Sequence, residues 1–242
     1  MKKFLQVAAL SIFTGFASAA QCDDMVLGGQ FPKTVEKVTI ICKKRFVIGY
    51  STQRKAPLWV AEVLFDDNVK NANTTRSNSF RPDPSIPLQF QSSLSEFAGS
   101  GYDRGHMVPF EDLADDPIAA NESFVLTNMI AQAQTHNRGI WRSVETRTRK
   151  IALEKKKIYV VTGTVFAPKS LMLAKGTNIP SHVWKIVISP STNEVFSVMI
   201  PNVDGLDTRR MREFSAIPAV ISKKAGITIL GLSSAFVSKP IN

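Results

Sequence analysis

Val183-Trp184-Lys185-Ile186-Val187-Ile188 and Val195-Phe196-Ser197-Val198-Met199-Ile200 are two apolar runs joined by a Pro-Ser-Thr-Asn turn at Pro190 to Asn193. Both are rich in β-branched and aromatic residues, and a turn that short joins neighbouring strands. Working outward, residues 157–163 form an apolar run ending in Gly163, consistent with a buried strand. Residues 38–41 and 46–50 read as two short strands separated by Cys42-Lys43-Lys44-Arg45, and residues 58–64 as another. Strands dominate and come mainly in adjacent pairs, without regular βαβ alternation. This pattern predicts an α+β fold whose central sheet is largely antiparallel. Residues 218–224 suit a helix, with Pro218 in its first turn and Gly226 just past its end.

The chain has 242 residues, 44% hydrophobic and 21% charged, with 13 Gly and 13 Pro. That composition excludes a disordered, collagen-like or coiled-coil protein. Residues 70–100 turn polar and Pro-rich, through Arg81-Pro82-Asp83-Pro84 and Ile86-Pro87, and read as a long surface loop. A loop of that length inside a compact domain is more often functional than idle. The piece before it is too short to bury a core of its own, so residues 20–242 read as a single domain.

Residues 1–19 read as a secretory signal peptide. Lys2 and Lys3 precede a mostly apolar run, and Ala17-Ser18-Ala19 supplies the small-x-small pattern cut after Ala19. The run is too short and too interrupted for a spanning helix, and no other segment suits one. Export places the protein in the periplasm or outside the cell. There the two cysteines, Cys22 and Cys42, are expected to form a disulfide that tethers the N-terminal segment. The formal charge of +10 falls to +8 without Lys2 and Lys3. A surface that basic favours anionic partners such as nucleic acid, but it identifies no chemistry by itself.

The chemistry is concentrated between Asp103 and Glu145. His106, in Asp103-Arg104-Gly105-His106, carries an imidazole able to take a proton from water near neutral pH. Arg104 offers a planar cation suited to a phosphate oxygen, and Gly105 lets backbone or substrate come close. From Ile140 the apolar positions Ile140, Trp141, Val144, Ile151 and Ala152 recur at helical spacing, so a helix is expected to begin near Gly139, with Trp141 in the core. Asn137 then sits at or just before the helix start, as a cap or as a hard oxygen ligand. Glu145 follows eight residues later. In a straight helix the two lie about 12 Å apart along the axis, so both bind one ion directly only if the start is irregular. Glu145 is therefore expected to act on the ion through water. His136 and His182 read as structural. The basic run Arg147-Thr148-Arg149-Lys150 reads either as a solvated helix face or as a track for phosphates.

These residues together resemble the DNA/RNA non-specific endonucleases of the ββα-metal type, the DRGH nucleases. Asp103-Arg104-Gly105-His106-Met107-Val108-Pro109 is similar to the family signature. Asn128, Gln132, Asn137-Arg138-Gly139-Ile140-Trp141 and Glu145 are similar to its metal-helix pattern. The resemblance runs from about Trp59 to Leu230. It departs from the pattern at Phe110-Glu111, where small residues are usual, and at Ala131, where Pro is common.

The resemblance implies a two-layered ββα-metal nuclease fold, in which a central largely antiparallel sheet is flanked by helices. It also implies hydrolysis of phosphodiester bonds in DNA and/or RNA with one divalent ion, usually Mg²⁺, with Mn²⁺ or another divalent cation as alternatives. By position, His106 is the general base, Asn137 the direct metal ligand and Glu145 the holder of a metal-bound water. Arg104 contacts the phosphate or stabilises charge, and Arg76 is the second phosphate-binding arginine, with Arg81 as its rival. The alternative from a different class is a periplasmic nucleic-acid-binding protein that has lost catalysis.

Overall fold

The runs that open the sequence reading form β8 (His182–Ser189) and β9 (Glu194–Pro201), paired antiparallel with Ile186 opposite Ser197. The computed structural model describes residues 22–206, 208–232 and 236–238. The signal peptide expected at residues 1–19 lies outside them. The other strands of the main sheet are β2 (Thr39–Cys42), β3 (Phe46–Ser51), β4 (Ala56–Phe65), β7 (Lys157–Val165) and β11 (Val237–Ser238). They join in the order β11-β9-β8-β7-β4-β3-β2, and every pairing is antiparallel except that of β11 with β9. Two small pairs stand apart, β1 (Lys33–Thr34) with β10 (Ile227–Thr228), and β5 (Tyr102–His106) with β6 (Met129–Ala133). The helices are α1 (Asp66–Lys70), α2 (Leu94–Phe97), α3 (Pro117–Glu122), α4 (Arg142–Lys155) and α5 (Pro218–Ala225). The class is α+β, as the paired strands predict.

Successive strand residues point to opposite faces, and here both faces are buried. Val60, Val160, Val183 and Val187 join a core with Trp141, Val144 and Ile151 from the α4 side. Their neighbours Trp59, Val161, Trp184 and Ile186 join a second core with Cys22 and Ile221 of α5. Covering both faces explains why the strands read as continuous apolar runs. It also gives three layers, not two, because α5 and the N-terminal segment cover the face turned away from α4. Burial of each large apolar side chain contributes about 1.5–3 kcal/mol.

Two local readings change. β7 does not stop at Gly163 but continues to Val165. Gly163 lies opposite Trp184, and a Cβ there would come within 2.0 Å of the indole, so the glycine makes room for a ring. The long loop is not wholly a surface feature either. Asp83, Gln91 and Glu96 are buried in it. Gln91 braces the backbone at Asp83 and Ile86, while the Asp83 carboxylate accepts from Lys43 at 2.8 Å and from the Thr127 hydroxyl. Buried polar groups of this kind are tolerated because each is hydrogen-bonded, and they fix the loop against the ribbon that carries the site.

The expected N-terminal tether is present. Cys22, fully buried, is bonded to Cys42 at the end of β2.

Candidate active site

The Asp103-to-His106 segment belongs to β5, the first strand of the separate two-stranded ribbon, with Asp103 opposite Gln132 and His106 opposite Met129. Because side chains alternate along a strand, Arg104 and His106 share one face. The close approach that Gly105 permits is internal. A Cβ there would lie 1.9 Å from the Gln132 Oε1. Gln132 in turn is hydrogen-bonded through Nε2 to the Nδ1 of His136 at 2.8 Å. His136 is fully buried and stacked on Trp141 with ring centroids 5.6 Å apart. Burial lowers its pKa to about 4, so it is a neutral packing residue. His182, as expected, stands at a strand end.

The helix following the ribbon does not begin as a simple α-helix. His136–Trp141 is a π-helical turn, and regular α-helix begins only at Arg142. Eight residues of α-helix would turn Glu145 about 80° away from Asn137. The wider winding of a π turn reduces that offset, and such turns recur at functional sites. This is the irregular start on which joint action of the two residues depends. Asn137 and Glu145 both line one cleft of about 360 Å³ with Arg76, Arg104, His106 and Arg149. Farther along α4, Val144, Thr148, Ile151 and Ala152 are buried against the sheet, which fixes the direction in which Glu145 faces.

Asn137 is not a helix cap. Its amide Nδ2 donates to Asp103 Oδ2 at 2.9 Å, and Arg138 clamps the same carboxylate from Nε at 2.8 Å and Nη2 at 2.6 Å. Partial burial opposes ionisation of Asp103, but the hydrogen bonds from Arg138 and Asn137 hold its carboxyl below the usual range. An ionised carboxylate only accepts, so the amide nitrogen of Asn137 must face Asp103. Its oxygen is thereby left for the cleft.

His106 is 9% exposed, and its Nε2 is buried with no protein partner among the described residues, so the small exposed part lies elsewhere on the residue. The ring packs edge-on against Phe124 at 5.2 Å and beside Phe80 at 5.5 Å. Burial first, then the charges of Arg76 and Arg104, lower its pKa to about 3, so it is neutral at physiological pH. Arg104 lies over the Phe80 ring at 4.4 Å. Arg76 lies over Phe110 and Phe124 at 5.4 and 5.2 Å, donates from Nε to Asn78 Oδ1, and faces Glu111 at 3.3 Å. Arg81 instead donates to the Ser79 and Asn121 carbonyls and does not line the cleft. Of the two arginines in the long loop, the structure brings only Arg76 to His106.

Burial raises the Glu145 carboxyl to about 7, with Lys185 opposing the shift and Asp112 adding to it. Under α4 lies a layer of ionisable side chains, Glu62, Asp112 and Lys185, all fully or almost fully buried, and burial pushes the carboxyls of Glu62 and Asp112 up. Asp112 Oδ1 accepts from Arg149 at 2.9 Å and holds that guanidinium at the cleft wall. In the sequence Arg149 lies inside a basic run. Its position one helical turn after Glu145 was the signal for a shared face.

A two-stranded antiparallel ribbon followed by a helix, with a histidine on the ribbon and an amide and a carboxylate on the helix, defines the ββα-metal class of fold. The chain belongs to the DNA/RNA non-specific endonuclease family, whose model matches residues 29–233. Nuclease C1 of Cunninghamella echinulata var. echinulata is 28% identical over 203 residues, 77% of this chain and 80% of that protein. The mitochondrial nuclease 1 of Schizosaccharomyces pombe is also 28% identical, over 201 residues, and the match spans 62% of its length. A crystal structure of the EndoG/EndoGI complex, concerned with EndoG inhibition, superposes with a TM-score of 0.78 at 25% identity. That match covers 84% of this chain and 92% of the other.

Proposed function

We propose that this protein is an exported endonuclease that hydrolyses phosphodiester bonds of DNA and/or RNA, with His106 as general base and one divalent ion, Mg²⁺ first among the candidates. The observation that carries the reading is the convergence on one cleft of a neutral, unpartnered His106, two flanking arginines and an Asn137 oxygen released by Asp103.

The donor set fits a hard cation. Among the described residues no group of three or more His, Cys, Asp or Glu side chains could hold a metal. Asn137 would hold the ion directly and Glu145 through water, and such a sparse, all-oxygen set suits a cation that keeps several waters and binds substrate phosphate. When bound, the ion supplies Lewis-acid polarisation of the phosphate and stabilises the leaving oxygen.

The remaining work falls to side chains. The His106 imidazole takes the proton from the attacking water, a contribution typically of about 10²–10⁴-fold. Arg76 and Arg104 bind phosphate oxygens and offset the charge that grows on them. These same guanidiniums add to the depression of His106 that burial causes, so a phosphodiester bound between them offsets the smaller, electrostatic part of it. Chemistry aimed at phosphate reads backbone and not bases, in keeping with cleavage of little sequence preference. EDTA-sensitive nicking of plasmid DNA, repeated with RNA and single strands, tests the reading. Binding without cleavage would contradict it.

Export is supported by the signal-like residues 1–19 and by the Cys22–Cys42 disulfide, which persists in oxidising compartments. Recovery of the protein from the periplasm or medium, beginning near Ala20, is the expected outcome. A cytosolic protein retaining Met1 would contradict it.

A further inference from the structure

Helix α4 presents three stripes. Val144, Thr148, Ile151 and Ala152 are buried, and Glu145 and Arg149 face the cleft. The third stripe, Arg142, Ser143, Thr146, Arg147 and Lys150, lines a separate groove of about 380 Å³ together with Met211. Arg142 and Thr146 line both the groove and the catalytic cleft, so the two concavities adjoin.

The charge of the two differs. The cleft combines arginines with Glu111 and Glu145, whereas no carboxylate lines the groove. Among the described residues Arg142 and Lys150 have no ion-pair partner, and only Arg147 is matched, by Glu154 at 3.2 Å. Three cations, two of them uncompensated, and two hydroxyl side chains make a surface suited to successive phosphates.

We propose that this groove carries the flank of a nucleic-acid strand whose scissile phosphate lies in the catalytic cleft. The proposal rests on the nuclease reading for its direction, since a groove adjoining the cleft lies where a polymer would extend past its scissile phosphate. Phosphates beyond the scissile one leave the cleft past Arg142 and run along α4 toward Lys150. The basic run that the sequence left as either solvated face or phosphate track is then divided, with Arg149 serving the cleft and Arg147 and Lys150 serving the groove.

The test is the salt dependence of binding to a labelled DNA duplex several turns long, measured in EDTA so that cleavage does not enter. Each phosphate contact contributes about 0.9 to the slope of log K against log salt. Arg147→Gln/Lys150→Gln is expected to reduce that slope by about two, and Lys150→Gln, which alters only one exposed side chain, by about one. Lys223→Gln/Lys224→Gln, an equal change of charge on α5 beyond the opposite face of the sheet, is expected to leave it unchanged. An unaltered slope in both α4 variants overturns the proposal, as does an equal drop in the α5 control. Failure of the wild-type protein to cut with Mg²⁺ would instead sink the nuclease reading, while the binding slopes would still decide the groove.

Discussion

Asn137 donates its amide nitrogen to Asp103 at 2.9 Å, across 34 residues of sequence. This bond joins the ribbon to the irregular helix start and decides which end of the amide faces the cleft. Removing it should leave the ligand atom present but unfixed. Groups that orient metal ligands typically contribute about 10–100-fold to affinity or activity. Asp103→Ala is therefore expected to lower kcat/KM by that order, with partial recovery at high Mg²⁺. Titrating activity against Mg²⁺ checks this, and a loss indifferent to Mg²⁺ would remove Asp103 from that role.

Gly105 and Gln132 test the packing behind the ribbon. A methyl at 105 collides with the Gln132 side chain. Overpacking of this kind costs about 1–3 kcal/mol. In urea unfolding, Gly105→Ala should destabilise by that amount in wild type and by distinctly less in a Gln132→Ala background. Additive losses would mean that the two positions are not coupled.

The buried His136 makes stability fall in acid. Its pKa is about 4 in the folded protein, against about 6.5 when unfolded. Between those values the unfolded chain binds a proton that the folded protein does not, so stability declines as pH falls from 6.5 toward 4. The slope is about 1.4 kcal/mol per pH unit for one proton. His136→Gln should reduce the measured pH slope in that window by about one proton, and an unchanged slope would contradict the neutral, buried assignment.

The Cys22–Cys42 bond closes a loop with a sequence separation of 20. A cross-link of that size contributes about 3 kcal/mol in the chain-entropy model. Cys42→Ser is expected to unfold at correspondingly lower denaturant, and equal midpoints for the oxidised protein and the variant would show that the tether adds no stability.

Much of this was legible in the sequence because it was written locally. The strands announced themselves as apolar runs, and α5 by Pro218 and Gly226. The residues of the cleft were legible through their grouping around His106 and Asn137. What escaped had non-local causes. The π turn preserves the apolar spacing of Ile140, Trp141 and Val144, so periodicity alone could not separate it from the helix that follows. The Asp103–Asn137 bond requires the ribbon and the helix start to be brought together first. Asp83 and Lys185 look like surface charges in a composition, yet one is fixed by Lys43 and Thr127 and the other alternates with Trp184 and Ile186 on the α4 side of the sheet. Arg149 was hidden among neighbouring cations until the helix separated its face from that of Arg147.

If His106 is the base of a metal-dependent phosphodiesterase cleft, plasmid nicking by wild type and by His106→Ala, each with Mg²⁺ and with EDTA, reveals it. Wild type should cut only with Mg²⁺, and the variant should lose at least about 10²-fold while still binding the plasmid. Cleavage by His106→Ala at the wild-type rate would remove His106 from that role, and wild-type cleavage that persists in EDTA would remove the metal.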